Sequence, residues 1–349
     1  MPTLKDIADR LGVSISTVSR AISNDANRPV SKETKRKVLE VANEIGYEIE
    51  EDEASSAAKA HYQIEKSIGC IMPQSLFDYH PYFSSILSGF RKRLYELGRT
   101  PAFFTAREEL ASPNYLRSLI RETGVKGILS IAWYDKEQFE VLKEEGVRVL
   151  GVSLNYDSLA VPVVDCDRLS AARSAVRHLI AQGHKKIGFI GGPSFSNEMD
   201  EDERFSGYKF GMLETGSELN KSWIINAKWD VDLSYSLMNE MLDRLNADER
   251  PTAMFCASDA LALPALRAAV EKGYRIPQDI AFVGMDNIEF AQYSSPPLTS
   301  VQVPKSEIGE VAANMLVNYV EGHYSLPLKV LLPYELVVRQ SSAFINKEG

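Results

Sequence analysis

Cysteine, histidine and tryptophan are scarce in this chain: three, five and three among 349 residues. Cys70, Cys166 and Cys256 are odd in number, far apart, and each lies in or beside an apolar run. Buried reduced thiols are therefore expected, rather than a disulfide framework or a metal site. The histidines show no metal-ligand spacing, and no metal or other cofactor is expected. His178 and His184, at the end of one helical stretch, are expected to be surface or capping residues. No apolar run reaches the roughly 18 residues of a membrane span, so no membrane partner is expected. Met1 leads directly into a helix-capping pattern with no basic-then-apolar leader, which makes the cytoplasm the expected location. Positive charge is also in short supply. A net charge of −9 excludes a general nucleic-acid coat, although a sequence-specific reader needs only a local basic face. No Ser/His/Asp arrangement, metal cluster or paired carboxylate with credible spacing emerges, so an enzyme is not expected. Gly191-Gly192-Pro193 lacks phosphate-loop spacing and reads as a turn.

What is present begins at residue 3. Thr3 and Asp6 fit a capping box, and Leu4, Ile7, Ala8 and Leu11 recur with helical spacing. Gly12 ends that helix, and Ser14 caps a second one anchored by Val18 and Ile22. The four-residue turn Leu11–Ser14 is what a helix-turn-helix requires. A third helix is expected from about Ser31, burying Val38, Val41, Ala42 and Ile45 and ending at Gly46. The second helix of such a motif lies in the major groove with its first side chains on base edges. Ile15 and Ser16 occupy those positions; Ser14, Thr17 and Ser19 suit phosphates, and Arg20 a guanine or a phosphate. Thr3, Ser23 and Lys35 complete the expected DNA-contacting set, with Lys32, Arg36 and Lys37 beside Lys35 as a basic cluster. Residues 1–47 carry eight Lys and Arg against six Asp and Glu, about +2 in an otherwise acidic chain.

The ordered series Leu4-Lys5-Asp6-Ile7-Ala8, Gly12-Val13-Ser14, Thr17-Val18-Ser19-Arg20, Val30-Ser31 and Gly46-Tyr47 resembles the headpiece of the lactose/galactose-repressor (LacI/GalR) family. The resemblance implies a sequence-specific transcriptional regulator reading double-stranded operator DNA. Residues 48–66 depart from that pattern. Relatives carry an Asn-x-x-Ala-Arg-x-Leu-like hinge helix that wedges a leucine into the minor groove. This chain has Glu50-Glu51-Asp52-Glu53 followed by Ala54, Ala57, Ala58 and Ala60, so a polar linker and weaker DNA bending are expected.

From Ser67 onward, short apolar runs alternate with amphipathic stretches. Strands are expected at Ile68–Met72, Ala102–Phe104, Gly127–Ile131, Arg148–Val152, Ile187–Ile190, Ala253–Cys256 and Ile280–Val283, with helices including Phe83–Leu97 and Lys136–Glu145. This alternation indicates an α/β fold with doubly wound parallel sheets, whose ligands bind beyond the carboxyl ends of the strands. His178–Gly192, Arg204–Tyr208, Cys256–Asp259, Val283–Asn287 and Pro296–Val301 extend the family resemblance. It implies a periplasmic-binding-protein-like pair of lobes behind the helix-turn-helix headpiece (1–47) and linker (48–66). One lobe is expected at 67–164 with 302–330 and the other at 165–301 with 331–345, the chain crossing near 165, 301 and 331.

By resemblance, Arg204, Ser258 and Asp286 occupy positions that bind effector hydroxyls in sugar-responsive relatives, and Trp229 aligns with an aromatic cleft residue. Trp133 follows a strand end, where its ring is expected to stack on a sugar. Ser153 and Asn155 follow the next strand, and Gln74 and Tyr82 belong to the loop after the first. Asp167 resembles a family position, with a helix N-cap as the competing reading. The expected protein is a homodimer, without the apolar heptad tail of a tetramer. It represses a carbohydrate-utilisation operon and is released by a small sugar, such as galactose or a galactoside, between two lobes. A regulator using a corepressor or protein partner is the alternative, as is a sugar-binding receptor of the same fold.

Overall fold

A computed structural model describes residues 2–23, 30–44, 67–110, 112–154, 160–193, 198–217, 219–323 and 327–343. The chain divides into two units, 1–64 and 65–349.

In the first unit the capping box forms: the Thr3 amide donates to Asp6 Oδ2 (2.7 Å) and the Asp6 amide to Thr3 Oγ1 (3.4 Å). Helix α1 (Leu4–Leu11) ends at Gly12, whose φ of 66° is the left-handed conformation glycine adopts without steric cost. Ser14 Oγ accepts the Thr17 amide (3.2 Å) at the start of α2 (Ile15–Ser23), and Ser31 Oγ does the same for Thr34 (3.1 Å) at α3 (Lys32–Glu44). Ile7, Ala8, Val18, Ala21, Val38 and Ala42 form the core where the three helices meet. Ile45, Gly46, the loop 24–29 and the connector 48–66 lie outside the described residues.

The second unit holds two six-stranded sheets. The first is built from β1 (Ile68–Met72), β2 (Phe103–Ala106), β3 (Gly127–Ile131), β4 (Arg148–Val152), β5 (Val163–Cys166) and β11 (Lys329–Leu332), in the order β11-β5-β4-β3-β1-β2. The second contains β6 (Ile187–Gly191), β7 (Ile224–Asn226), β8 (Ala253–Cys256), β9 (Ala281–Asp286), β10 (Thr299–Gln302) and β12 (Glu335–Val337), in the order β12-β10-β9-β8-β6-β7. The described pairings are parallel except β10 with β12. The central strands are buried along their whole length, which is why they read as continuous apolar runs.

The connecting helices are α4 (Gln74–Tyr79), α5 (Pro81–Glu96), α6 (Pro113–Thr123), α7 (Lys136–Glu144), α8 (Arg168–Ala181), α9 (Glu203–Glu214), α10 (Val231–Arg244), α11 (Asp259–Glu271) and α12 (Lys305–Val320). The segment after β1, expected as a loop, contains α4. The chain leaves the first sheet after Cys166, returns to it after Gln302 and leaves again after Leu332. The expected crossings at 165, 301 and 331 thus fall inside β5, β10 and β11, because each strand continues one residue further before its helix or turn begins.

One apolar core cluster draws residues from both sheets, including Ile68, Leu129, Phe189 and Phe255. Helices α5 and α12 approach backbone to backbone: a Cβ on Gly89 would lie 2.0 Å from the Ser306 carbonyl, and one on Gly309 2.0 Å from that of Ile86. His178 and His184 are corrected by this packing. His178 bonds Ser342 (2.8 Å), and His184 is buried and bonds Thr252 (3.0 Å), so both tie the second sheet's surroundings together. All three cysteines are free and buried. Among the described residues, no helix is long and apolar enough to cross a membrane.

Candidate functional site

On the first unit, α2 leaves an unusual surface. Ile15 is 48% exposed, and Ser14, Ser16 and Ser19 are exposed beside it. Exposure of a large apolar side chain at a helix start suits contact with a thymine methyl. Ser14 Oγ lies 2.8 Å from both the Ser16 and the Thr17 hydroxyls, so these three already form a local network. Arg20 lies back along the helix, its Nε donating to the Ser16 carbonyl (3.0 Å) and Nη2 to Thr17 Oγ1 (3.3 Å); it must swing outward to reach a base. Thr3 is exposed beside its capping partner, and Lys35 is half-buried on α3. Arg36 and Lys37 pair with Glu40 (2.9 Å) and Glu33 (3.0 Å) on their own helix, so part of the basic cluster is internally neutralised. Ser23 closes α2, and its side chain lies outside the described residues.

In the second unit, left-handed backbone marks one region. Among the described residues, the non-glycine positions with positive φ are Ala132, Ser153, Lys228, Trp229, Asp286 and Asn287. Each ends or closely follows β3, β4, β7 or β9 at its carboxyl end. Such conformations cost of order 1–3 kcal/mol each and cluster at functional sites. The side chains gathered there belong to both sheets.

On the first-sheet side, Arg168 is the hub. Its Nη2 donates to Ser153 Oγ (2.6 Å) and Tyr82 Oη (3.2 Å) and pairs with Asp165 Oδ2 (3.1 Å). Asp165 also accepts the Ser153 amide (3.1 Å) and the Cys166 amide (2.9 Å). Burial opposes the Arg168 charge, but Asp165 and the other nearby anionic groups outweigh it and hold the guanidinium protonated. Asp167 caps α8 through Ser170 (2.9 Å).

On the second-sheet side, Asp202 grips Arg204 in a fork, Oδ1 accepting Nε (2.9 Å) and Oδ2 accepting Nη2 (2.6 Å). The guanidinium lies 4.2 Å from the centre of the Trp229 ring, a cation–π stack. Trp229 donates from Nε1 to the Pro193 carbonyl (2.9 Å), and Gly192 leaves the room its ring needs: a Cβ there would lie 2.7 Å from it. Burial pushes the Asp202 carboxyl up, and the Arg204 charge and hydrogen bonds more than reverse this.

Asp286 completes the cluster. It is 6% exposed, has φ 105°, and among the described residues nothing donates a hydrogen bond to its carboxylate. Burial pushes its pKa up to about 7, against the pull of Arg204, Lys305 and Arg168. Lys305 spends its ammonium on the Asp286 and Asn287 carbonyls. Asn287 is held by Ser300 (2.9 Å) and Arg339 (2.8 Å), which fixes the backbone that presents Asp286.

The structure thus brings together Tyr82, Ser153, Arg204, Trp229 and Asp286 of the expected ligand set. Others fall elsewhere. Trp133 is 2% exposed and packs against Phe139 (5.1 Å) in an apolar cluster with Ile71 and Leu116, so its ring is core rather than a sugar platform. Ser258 caps α11 by accepting the Leu261 amide (3.3 Å). Gln74 begins α4, its amide bonded to Glu108 (2.8 Å) and its side chain exposed. Asn155 lies outside the described residues. Asp165, Arg168, Asp202 and Lys305 were not singled out from sequence. Asp165 and Arg168 bracket the end of an apolar run, and that spacing was the available signal.

A family model for bacterial regulatory proteins of the lacI family matches residues 3–49, and one for a periplasmic binding protein-like domain matches 176–342. The HTH-type transcriptional repressor PurR of Shigella dysenteriae serotype 1 (strain Sd197) is 30% identical over 346 residues, covering 98% of this chain and 97% of PurR. PurR of Pasteurella multocida (strain Pm70) is 30% identical over 344 residues, 98% of each chain. The solved structure of a transcriptional regulator CelR–cellobiose complex aligns with a TM-score of 0.70 and 29% identity, over 98% of this chain and 100% of that one. The lac repressor dimer bound to operator and the anti-inducer ONPF shares the fold (TM-score 0.71, 24% identity, 98% and 99% covered). With its three-helix headpiece, its two-sheet unit and a relative 30% identical along almost the whole of both chains, the chain belongs to the lacI family of DNA-binding transcriptional repressors.

Proposed function

We propose that this repressor controls a carbohydrate-utilisation operon and is released by a neutral sugar held in the cluster between its two sheets. Asp286 carries the reading: a buried carboxylate with no donor among the described residues is an acceptor waiting for hydroxyls. Trp229, 37% exposed and backed by Arg204, offers an aromatic face for the C–H side of a ring. An anionic ligand fits poorly. Arg168 and Arg204 already face their own carboxylates, and Asp286 would repel a further negative charge. The cellobiose bound to the 29%-identical regulator supports a sugar, with galactose or a galactoside among the candidates.

The protein acts as a cytoplasmic homodimer on a pseudo-palindromic operator, Ile15 and Ser16 setting base preference and Ser14, Thr17, Ser19 and Arg20 fixing register on the backbone. A thermal-shift screen of mono- and disaccharides, repeated with Asp286→Ala, tests the effector. A bound sugar stabilises the wild type by about 2.7 kcal/mol at one hundred times its Kd. Loss of a charged hydrogen bond weakens the variant by about 1.5–3 kcal/mol. If no sugar stabilises the wild type, or the variant responds equally, the assignment fails. Operator binding measured with and without that sugar decides between release and corepression.

A further inference from the structure

His80 lies just ahead of α5, with its ring edge-on to Tyr82 (centroids 6.4 Å apart) and Phe83 (5.0 Å). Its Nδ1 is buried and meets no hydrogen-bond partner among the described residues. Native proteins keep few such atoms, so the nitrogen's chemical state has to be one the site tolerates. Burial lowers the tendency of the imidazole to protonate, and the positive charge of Arg204 lowers it further. The ring is therefore neutral near pH 7, with a proton on one nitrogen and a lone pair on the other.

The surroundings select the tautomer. A proton on Nδ1 would bury an unpaired N–H dipole in an apolar wall within the field of a cation. A lone pair there is both cheaper to desolvate and attracted by Arg204. The proton accordingly sits on Nε2, which is not among the buried unsatisfied atoms.

We propose that His80 is a specificity-determining residue of the effector site, donating through Nε2–H to an oxygen of the bound sugar. This rests on the effector reading given above. Placement supports it: the ring packs against Tyr82, which accepts from Arg168 of the first-sheet half, and lies within the electrostatic field of Arg204 of the second.

The test compares wild type, His80→Phe, His80→Gln and Asp286→Ala by calorimetric titration with galactose, cellobiose and their monodeoxy derivatives. His80→Phe keeps a planar ring without a donor and is expected to weaken the binding sugar about three- to tenfold, the size of one net hydrogen bond. His80→Gln, which restores an N–H near the Nε2 position, recovers most of that loss. The deoxy derivative lacking the contacted oxygen binds wild type and His80→Phe alike. Ring 15N shifts of the unliganded protein are expected to report the Nε2–H tautomer at pH 7.

An Nδ1–H tautomer overturns the proposal whatever binds. So does equal weakening of every derivative by His80→Phe, which would mean packing alone. A sugar whose binding Asp286→Ala abolishes and His80→Phe leaves untouched overturns this proposal but not the effector reading. Failure of every sugar to bind wild type overturns both.

Discussion

The proposed role of Asp286 in ligand recognition has a counterpart in the stability of the unliganded protein that can be measured. Burial raises its pKa to about 7 from the ordinary 3.8. Between those values the folded chain keeps a proton that the unfolded chain has lost. Stability therefore falls as pH rises from about 4 to about 7, and stays lower above that. A gap of about three pH units, at about 1.36 kcal/mol each, sets the cost of the buried charge at roughly 4 kcal/mol. Relaxation and water entry reduce it, so Asp286→Asn is expected to stabilise the ligand-free protein by about 1–4 kcal/mol at pH 8 and by about a quarter of that at pH 4.5, which lies just above the unfolded pKa. Urea unfolding of both proteins at both pH values reads this directly. Asp202, whose carboxyl is held low by Arg204, titrates in both proteins, whereas Asp259, pushed well up by burial and then by the Asp286 charge, loses the second push in the variant and adds to the difference in the same direction. Under the proposed effector reading the same substitution is expected to weaken sugar binding, a trade of stability for function. A variant less stable than wild type at pH 8, or a difference that does not change with pH, would refute the reasoning.

Three further outcomes follow from the geometry. Trp133→Ala is expected to lower stability by about 3–5 kcal/mol, as for a large core aromatic, with the sugar contacts left in place. Trp229→Ala, by contrast, should lower sugar affinity with a small stability change, so the two tryptophans separate in paired denaturation and titration measurements. Gly309→Ala drives a methyl into the Ile86 carbonyl and should cost about 1–3 kcal/mol of stability, visible as a lowered urea midpoint of the 65–349 unit. Ile15→Ala is expected to relax discrimination at one base pair by about 1–3 kcal/mol, while Ser19→Ala weakens binding across all sequences alike; competition binding to single-substituted operators distinguishes them.

How much of this was legible in the residues depends on the range of the interaction. The ends of the first two helices are set by contacts three or four residues apart, so the capping box, Gly12 and the Ser14 cap stood in the sequence as they stand in the structure. Strands buried on both faces announced themselves as apolar runs, and β1, β3, β4 and β8 match their expected bounds. Side chains following strand ends were harder, because a residue after a strand can turn into the cleft or back under the sheet. Trp133 took the second course: the carbonyl of Trp133 receives the buried Ser130 hydroxyl, and its ring meets Phe139 on the far side of the sheet from the cluster. Nothing in Ala132-Trp133-Tyr134 decides that turn; α7, which carries Phe139, does. Arg204 and Asp286 were recognisable by resemblance, but their partners were not. Asp202 neutralises Arg204 over two residues, and Arg168 gathers Tyr82 from α5, Ser153 from just after β4 and Asp165 from β5. That difference governs the chemistry. Read singly, Arg204 looks like a cation seeking an anionic or bidentate ligand. With Asp202 in its fork it becomes a fixed dipole that supports the Trp229 face, and within this cluster the carboxylate to which no described residue donates is that of Asp286.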